Sequence, residues 1–172
     1  MDERKWIERI LAGDTQSFSC LVAKYEKMAY TIALRILENR EEAEEAVQDA
    51  FVKMYRALSD FHFDSKFSTW FYRIVYRTAL TALRQQRMFV SYEEAGPVDL
   101  SNDEVESATA LLEREDRKEM IARTLKKLPA DEALLLTLYY LEECSVEEIC
   151  QITELSASNV KVKLFRGRKR FY

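Results

Sequence analysis

The chain has 172 residues with only three Gly and two Pro, and its long runs of Ala, Leu, Glu, Lys and Arg predict an all-α protein. The net charge of −4 argues against a uniformly basic nucleic-acid-binding protein, although basic and acidic residues are segregated along the chain. No apolar run is long enough to span a membrane, and three Cys and one His lack metal-ligand spacing. We therefore expect a cytoplasmic protein without membrane insertion, metal, cofactor or catalytic site.

The first half of the chain is predicted to form helices with apolar residues every three or four positions. A short helix is expected over residues 2–11, and a long one from about Thr15 or Ser17. Asn39 is predicted to cap a third helix, with Glu42 at the capping-box spacing. The buried face of this third helix is predicted to comprise Ala43, Ala46, Val47, Ala50, Phe51, Met54, Tyr55 and Leu58.

The outer face of the third helix is acidic and polar, and it carries Glu41, Glu44, Glu45, Gln48 and Asp49. The helix dipole accounts for acids in the first turn, but Gln48 and Asp49 lie beyond that turn. Two interpretations remain open from the residues alone. The face is either solvated or it binds a partner.

The stretch from Lys66 to Arg87 combines cations with aromatic rings. Ser68 and Thr69 are predicted caps of a helix that would place four arginines on one face: Arg73, Arg77, Arg84 and Arg87. Seven aromatic residues lie between positions 61 and 76: Phe61, Phe63, Phe67, Trp70, Phe71, Tyr72 and Tyr76. Cations attract phosphates and rings stack on unpaired bases, so this pattern favours single-stranded nucleic acid. The alternative is an amphipathic helix with core aromatics and solvated arginines.

Residues 88–107 differ in character from the sequence on either side. They contain a Gly-Pro pair, six acidic residues and no helical periodicity, which predicts a flexible acidic linker. The linker divides the chain into two small helical domains, residues 1–87 and 108–172. In the second domain we expect a helix over 108–127 and another, capped by Asp131, over Glu132–Leu141. This last segment is apolar nearly all round, which predicts a buried hub.

The end of the chain has the pattern of a helix-turn-helix. Two short helices are predicted over Val146–Glu154 and Ala157–Phe171, the first with a capping box from Ser145 to Glu148. The turn has Glu154 at a position that often carries Gly. The second helix is rich in basic residues towards its end. Two interpretations fit this pattern: a recognition helix in the major groove, or a solvated cationic tail.

Four segments in this order resemble bacterial RNA polymerase sigma factors of the extracytoplasmic-function group, sigma-70 family. The segments are AVQDAF, FSTWFYRI, the acidic linker, and LPADEALLLTLYYLEECSVEEICQITELSASNVKVKLFRGR. The resemblance implies a dissociable subunit of RNA polymerase that selects promoters, helps melt DNA and is not itself an enzyme. Its implied partners are core RNA polymerase through the β′ and β subunits, promoter DNA and an anti-sigma factor.

The resemblance also assigns residues to these partners. Polymerase binding falls on Glu45, Gln48, Asp49 and Val52. Minus-ten DNA binding falls on Phe61, Phe63, Lys66, Phe67, Ser68, Trp70, Arg73, Tyr76, Arg77 and Arg84. Minus-thirty-five DNA binding falls on Ser158, Asn159, Lys161, Val162, Lys163, Phe165, Arg166 and Arg168. Relatives commonly carry Asn and Asp where this chain has Arg77 and Thr81, which indicates a different minus-ten preference.

The main alternative is a conventional helix-turn-helix regulator whose first domain senses a ligand or dimerises. Such a protein binds duplex DNA only and has no need for exposed rings beside a row of arginines. A helical hydrolase is a weaker alternative, because one histidine and no nucleophile arrangement offer little for catalysis.

Overall fold

The computed structural model describes residues 2–90 and 112–171, and this part of the chain confirms the predicted all-α fold. The helices are α1 (Glu3–Leu11), α2 (Thr15–Leu37), α3 (Arg40–Ala57), α4 (Phe67–Val90), α5 (Leu112–Lys126), α6 (Ala130–Tyr140), α7 (Val146–Thr153) and α8 (Ala157–Phe171). A 3-10 turn over Leu58–Asp60 follows α3. Within the described ranges, no helix has both the length and the apolar character of a membrane span.

Helix starts follow the side chains that cap them. Asn39 accepts a hydrogen bond from the backbone N–H of Glu42 at 3.1 Å. Ser145 and Glu148 form the predicted capping box, because each side chain accepts the other residue's backbone N–H. Two of the four orphan donors at the start of α7 are thereby satisfied.

Two predicted caps are wrong. Helix α6 begins at Ala130 behind Pro129, which offers no side-chain cap, so Asp131 lies inside the first turn. Its carboxylate accepts hydrogen bonds from the backbone N–H of Glu132, at 2.9 Å, and from Lys163 of α8. Helix α4 begins at Phe67, so Ser68 follows its first residue rather than preceding the helix.

The first half of the molecule is built on three long helices, α2, α3 and α4, that pack against one another. Their shared core is fully buried and includes Leu21, Ile32, Met54, Phe71 and Val75. Helix α1 lies across α2 and buries Ile7 and Ile10. Burying these large side chains stabilises the half by about 1.5–3 kcal/mol each.

The second half is organised around α6, whose residues from Glu132 to Leu138 are all buried, as expected of a hub. Helices α7 and α8 pack on it and on each other. Helix α8 approaches α6 closely at Gly167, where an added Cβ would lie 3.0 Å from Leu136 Cδ1. At the same contact between α6 and α8, both carboxylate oxygens of buried Glu132 accept hydrogen bonds from Arg170, at 3.0 and 3.1 Å.

We expect Gly167→Val to lower the free energy of unfolding by about 1–3 kcal/mol, because overpacking forces α8 away from α6. Urea denaturation followed by circular dichroism measures the change. Lys169→Val serves as the control, since it introduces the same β-branched residue at an exposed position of α8. Because Val is a better helix former than Gly, a decrease in Gly167→Val no larger than that in Lys169→Val would contradict the close packing at Gly167.

The two halves contact each other directly: α4 packs on α7, and α2 on α6. Helix α4 continues to Val90, so the first three residues of the predicted linker are helical. The rest of that linker, 91–107, and the predicted helix start over 108–111 lie outside the described residues. The position of the C-terminal half against α4 determines which of the predicted site residues are accessible.

Candidate nucleic-acid interface

Helix α4 presents the predicted row of arginines. Its buried side carries Phe71, Val75 and Ala79, while the arginines lie on the opposite, exposed side. The exposed row comprises Arg73, Arg77, Arg84 and Arg87. Helix α4 is therefore amphipathic with a cationic exposed face, and the binding of nucleic acid to that face stays a prediction.

The aromatic cluster is divided between core and surface. Phe61 and Phe67 are buried, and their rings pack edge to face with centroids 5.6 Å apart. This burial does not fit their predicted role as base-stacking surfaces, because Phe61 in the loop and Phe67 at the start of α4 both place their rings in the core. They instead support Trp70, whose centroid lies 5.0 Å from Phe61 and 5.7 Å from Phe67. Trp70 is half-buried, so part of the ring faces outward.

Phe63 is the exposed ring of the loop, at 41% exposure. Its backbone is left-handed (φ 61°), an uncommon conformation for a bulky residue. One neighbour is Phe61, with centroids 4.7 Å apart. Another is Arg4 of α1, whose guanidinium carbon lies 4.8 Å from the ring centroid. Sequence reasoning missed Arg4, because nothing local in α1 indicates which loop the helix will meet.

Much of the remaining predicted minus-ten surface meets the C-terminal half. Lys66 Nζ lies 2.8 Å from Glu148 Oε1. Glu154 Oε1 accepts from Arg73 at 3.2 Å and also from Arg77. Ser68 and Tyr76 are half-buried, whereas Arg84 remains exposed.

A buried hydroxyl joins the halves as well. Tyr72 is almost fully buried, and its hydroxyl donates a 2.8 Å hydrogen bond to Glu142 in the segment between α6 and α7. Burial, followed by that bond and the charge of Glu142, raises the pKa of Tyr72. The phenol is therefore a constant donor at neutral pH.

The charges of these contacts are matched. The hydrogen bond from Arg77 is the main reason that the pKa of Glu154 is lowered, and Arg73 adds to it. Lys66 does the same for Glu148, whose pKa is also lowered, while the pKa of Lys66 is raised in turn. The two carboxylates and Lys66 are therefore charged across the physiological range.

The residues assigned to polymerase binding share the solvent-exposed face of α3. Glu45, Gln48 and Asp49 surround Val52, which is 48% exposed although it is apolar. Tyr55, predicted to be core, is also 48% exposed, although its ring packs edge to face with Phe18 at a centroid distance of 5.2 Å. An apolar centre with a polar rim is the usual anatomy of a protein interface.

Helix α8 presents six of its eight predicted contacts to solvent: Ser158, Asn159, Lys161, Val162, Phe165 and Arg166. The other two are not free on that face. Lys163 is half-buried and pairs with Asp131, and Arg168 lies against the rings of Tyr139 and Tyr140. Exposed Lys169 was missed by the assignment and lies with the outward group, one turn after Phe165 and Arg166.

Helices α7 and α8 have the geometry of a helix-turn-helix. Glu154 ends α7 in the left-handed conformation (φ 62°), at the position where Gly is common. Ser156 then accepts from the backbone N–H of Asn159 at 3.2 Å, which helps to start α8. The residues near the start of α8 are the ones that reach base edges in such motifs.

Comparison with known families and proteins gives a consistent result for both halves. Residues 21–88 match the family Sigma-70 region 2, and residues 118–171 match Sigma-70, region 4. Helix α1 and its Arg4 lie outside both matches.

Curated relatives match nearly the whole chain. RNA polymerase sigma-H factor of Pseudomonas aeruginosa is 32% identical, over 97% of this chain and 90% of that protein. ECF RNA polymerase sigma-E factor of Escherichia coli K12 is 31% identical, over 95% and 88% respectively.

Two solved structures share the fold. RpoE from Bartonella quintana, in complex with the anti-sigma factor NepR, has a TM-score of 0.71 at 17% identity and covers 91% of this chain and 94% of that one. CnrH in complex with the cytosolic domain of CnrY has a TM-score of 0.64 at 22% identity, with coverage of 98% and 94%.

Proposed function

Because the chain belongs to the extracytoplasmic-function group of the sigma-70 family and is a sigma factor, we propose how its described surfaces divide the work of initiation. The exposed face of α3 binds core RNA polymerase. Helix α4 and the loop before it bind the melted minus-ten element, and α8 reads the minus-thirty-five element. Sigma factors are initiation factors, and we propose that this one acts in the cytoplasm without catalytic chemistry of its own.

The observation that supports this proposal is that one chain carries two different surfaces, each with side chains suited to a different form of DNA. Helix α4 sets an arginine row beside Trp70 and Phe63, which suits unpaired bases and their phosphates. Helix α8 sets polar and basic side chains at the outward face of a helix-turn-helix, which suits duplex DNA. A conventional regulator needs only the second surface.

On the minus-ten side, Trp70 and Phe63 are our candidates for base stacking, and Phe61 and Phe67 hold them in place. Arg73, Arg77 and Arg84 would then contact the phosphates of the displaced strand. Since Arg77 stands where relatives commonly carry Asn, its longer cationic side chain is the expected source of an altered minus-ten preference.

On the polymerase side, we propose that Val52 and Tyr55 form the centre of the contact and that Glu45, Gln48 and Asp49 form its rim. The β′ subunit is the partner that the resemblance implies for this face, and β the second polymerase subunit involved. Exposed apolar side chains on an otherwise acidic face support a binding role over a merely solvated one.

We also propose that an anti-sigma factor controls this protein. RpoE and CnrH were both solved in complexes, with the anti-sigma factor NepR and with the cytosolic domain of CnrY. This chain shares the fold of those two proteins along most of its length, which supports a partner of the same kind.

Alanine at Lys161 or Arg166 is expected to weaken binding to a minus-thirty-five duplex by about 1–3 kcal/mol for each hydrogen bond to a base that the substitution removes. The holoenzyme is titrated against duplexes that carry or lack the element, at several salt concentrations. Lys27→Ala, an exposed position on α2, is the matched control. An equal decrease on both duplexes would show that the two residues touch phosphate only and would contradict their assignment to base readout.

A further inference from the structure

Helix α1 is fixed against α2 at its first residue. Glu3 Oε1 accepts hydrogen bonds from the Tyr25 hydroxyl and from Lys24 Nζ. The ring of Tyr25 packs against that of Phe67, the first residue of α4, with centroids 5.4 Å apart. Ile7, one turn after Glu3, is fully buried. The start of α1 is therefore held beside the start of α4 and the loop that precedes it.

Arg4 follows Glu3, and its guanidinium lies over the ring of Phe63 in that loop. The guanidinium carbon is 4.8 Å from the ring centroid, which is the geometry of a cation–π contact. Glu8, one turn further along α1, accepts a hydrogen bond from Arg4 Nε at 3.2 Å. The exposed side chain of Arg4 is thus fixed at two points, by a carboxylate of its own helix and by the ring.

Phe63 lies in the segment 61–66, between the 3-10 turn and α4. Its left-handed backbone is costly for a bulky residue, so the surrounding contacts must maintain it. Phe61 packs on the ring from within the same segment, and Arg4 contacts it from α1. Of these two neighbours, Arg4 is the one that belongs to a different element. It therefore ties the loop to the rest of the molecule at the ring itself.

The ring of Phe63 keeps 41% of its surface exposed with both neighbours in place. A ring that is already oriented loses less conformational entropy when a base stacks on it. The guanidinium of Arg4 restricts the ring while leaving surface for a base. This is the arrangement that a preorganised stacking surface requires.

We propose that Arg4 is a positioning residue for minus-ten recognition. Its guanidinium holds the ring of Phe63 in the orientation that stacks on an unpaired base, and it acts through that ring rather than through a DNA contact of its own. The inference rests on the proposed function of the loop before α4. It brings α1, which neither family match includes, into the minus-ten surface.

The test compares Arg4→Met with wild type, alone and combined with Phe63→Leu. Methionine keeps an unbranched side chain and a similar helix propensity, so α1 is preserved while the cation is removed. Arg4→Lys restores the charge. Arg9→Met is the matched control, because it makes the same change in the same helix at a residue whose ion pair is with Asp14.

Each variant is assembled with core polymerase and titrated by fluorescence anisotropy against a labelled fork duplex. The unpaired strand of the fork is the minus-ten segment of the strongest promoter that the wild-type holoenzyme opens. We expect Arg4→Met to weaken binding about two- to fivefold, the scale of an exposed cation–π contact. Arg4→Lys should recover part of this loss, and Arg9→Met should match wild type.

Two further results distinguish positioning from other roles. In the Phe63→Leu background, Arg4→Met should cause no additional loss, because the ring through which it acts is absent. The dependence of affinity on salt should be the same for Arg4→Met and wild type, since a lost contact to a phosphate of single-stranded DNA would lower the slope by about 0.7. The urea midpoint of Arg4→Met should also match that of wild type.

Wild-type affinity in Arg4→Met would overturn the inference. The same loss with and without Phe63→Leu, or a lower salt slope, would overturn it too, because Arg4 would then bind DNA by itself. A lower urea midpoint together with no recovery in Arg4→Lys would show a role in the fold of α1 only. If the wild-type holoenzyme opens no promoter, the proposed function fails and the inference with it. If it opens promoters and Arg4→Met binds the fork normally, only the role of Arg4 is removed.

Discussion

Replacing Phe71 with alanine is expected to lower the free energy of unfolding by about 3–5 kcal/mol. Phe71 has 0% exposure, and its ring meets those of Tyr25, Phe51 and Phe67 at centroid distances of 5.9, 4.8 and 6.2 Å. The cavity left behind would lie where α2, α3 and α4 meet. A decrease of this size is a large fraction of the stability of a small domain.

Urea denaturation followed by circular dichroism measures this effect. Phe89→Ala is the control, since Phe89 lies in the same helix and is 79% exposed. We expect the control to stay within about 0.5 kcal/mol of wild type. A decrease below about 1 kcal/mol for Phe71→Ala would contradict the placement of its ring at the centre of the N-terminal core.

The second large effect is expected at α3. Asp49→Lys should weaken binding to core polymerase by about 2 kcal/mol or more, roughly thirtyfold, if Asp49 lies in the docking surface. The reversed charge would meet a partner surface selected for an acidic one. Because Asp49 is exposed, the fold should be unaffected, and its urea midpoint should remain that of wild type.

Competition for core polymerase against fluorescently labelled wild-type protein measures the affinity. Glu26→Lys makes the same charge change at an exposed position of α2, outside the proposed docking face, and should bind normally. Val52→Ala tests the apolar centre of the face independently of charge. Normal affinity in both α3 variants would place polymerase binding elsewhere on the protein.

Sequence periodicity predicts the amphipathic helices because each has a distinct apolar face, whereas α6 is predicted from its nearly uniform apolar run. Helix α8 begins and ends where predicted, and α7 differs only at its last residue. The caps are predictable where a side chain competes with nothing else, as at Asn39 and Ser145. Asp131 is not, because α6 begins one residue before it, and the sequence also does not reveal its partner Lys163, 32 positions further along the chain.

The division of site residues between core and surface is less predictable. An aromatic ring suits both base stacking and burial in the core. The sequence pattern alone therefore does not show whether the rings of Phe61 and Phe67 are exposed or buried. Both are buried, and the ring of Phe61 packs against that of Phe67 at the start of α4. Similarly, Arg168 has the sequence context of a DNA contact, but α6 offers it the rings of Tyr139 and Tyr140. Long-range contacts of this kind carry no local signal.

The contact between the halves has the weakest sequence signal. Glu154 is recognisable as an unusual residue for a helix-turn-helix turn, but its two arginine partners lie 77 and 81 positions away. Only the tertiary arrangement connects the acidic turn with the basic helix. It also connects the two features of the sequence that depart from expectation, Glu154 and Arg77.

Transcription in vitro from a promoter library tests whether this chain uses two separate DNA-binding surfaces to select and open promoters. Core polymerase is supplied with the wild-type chain, with Trp70→Ala, or with Lys161→Ala/Arg166→Ala, and the transcript starts are sequenced. We predict starts at promoters that share both a minus-ten and a minus-thirty-five element. Trp70→Ala should abolish opening, whereas the double variant should abolish selection by the upstream element. Transcripts no more abundant or selective than those from core polymerase alone would contradict the proposed division of work between α4 and α8.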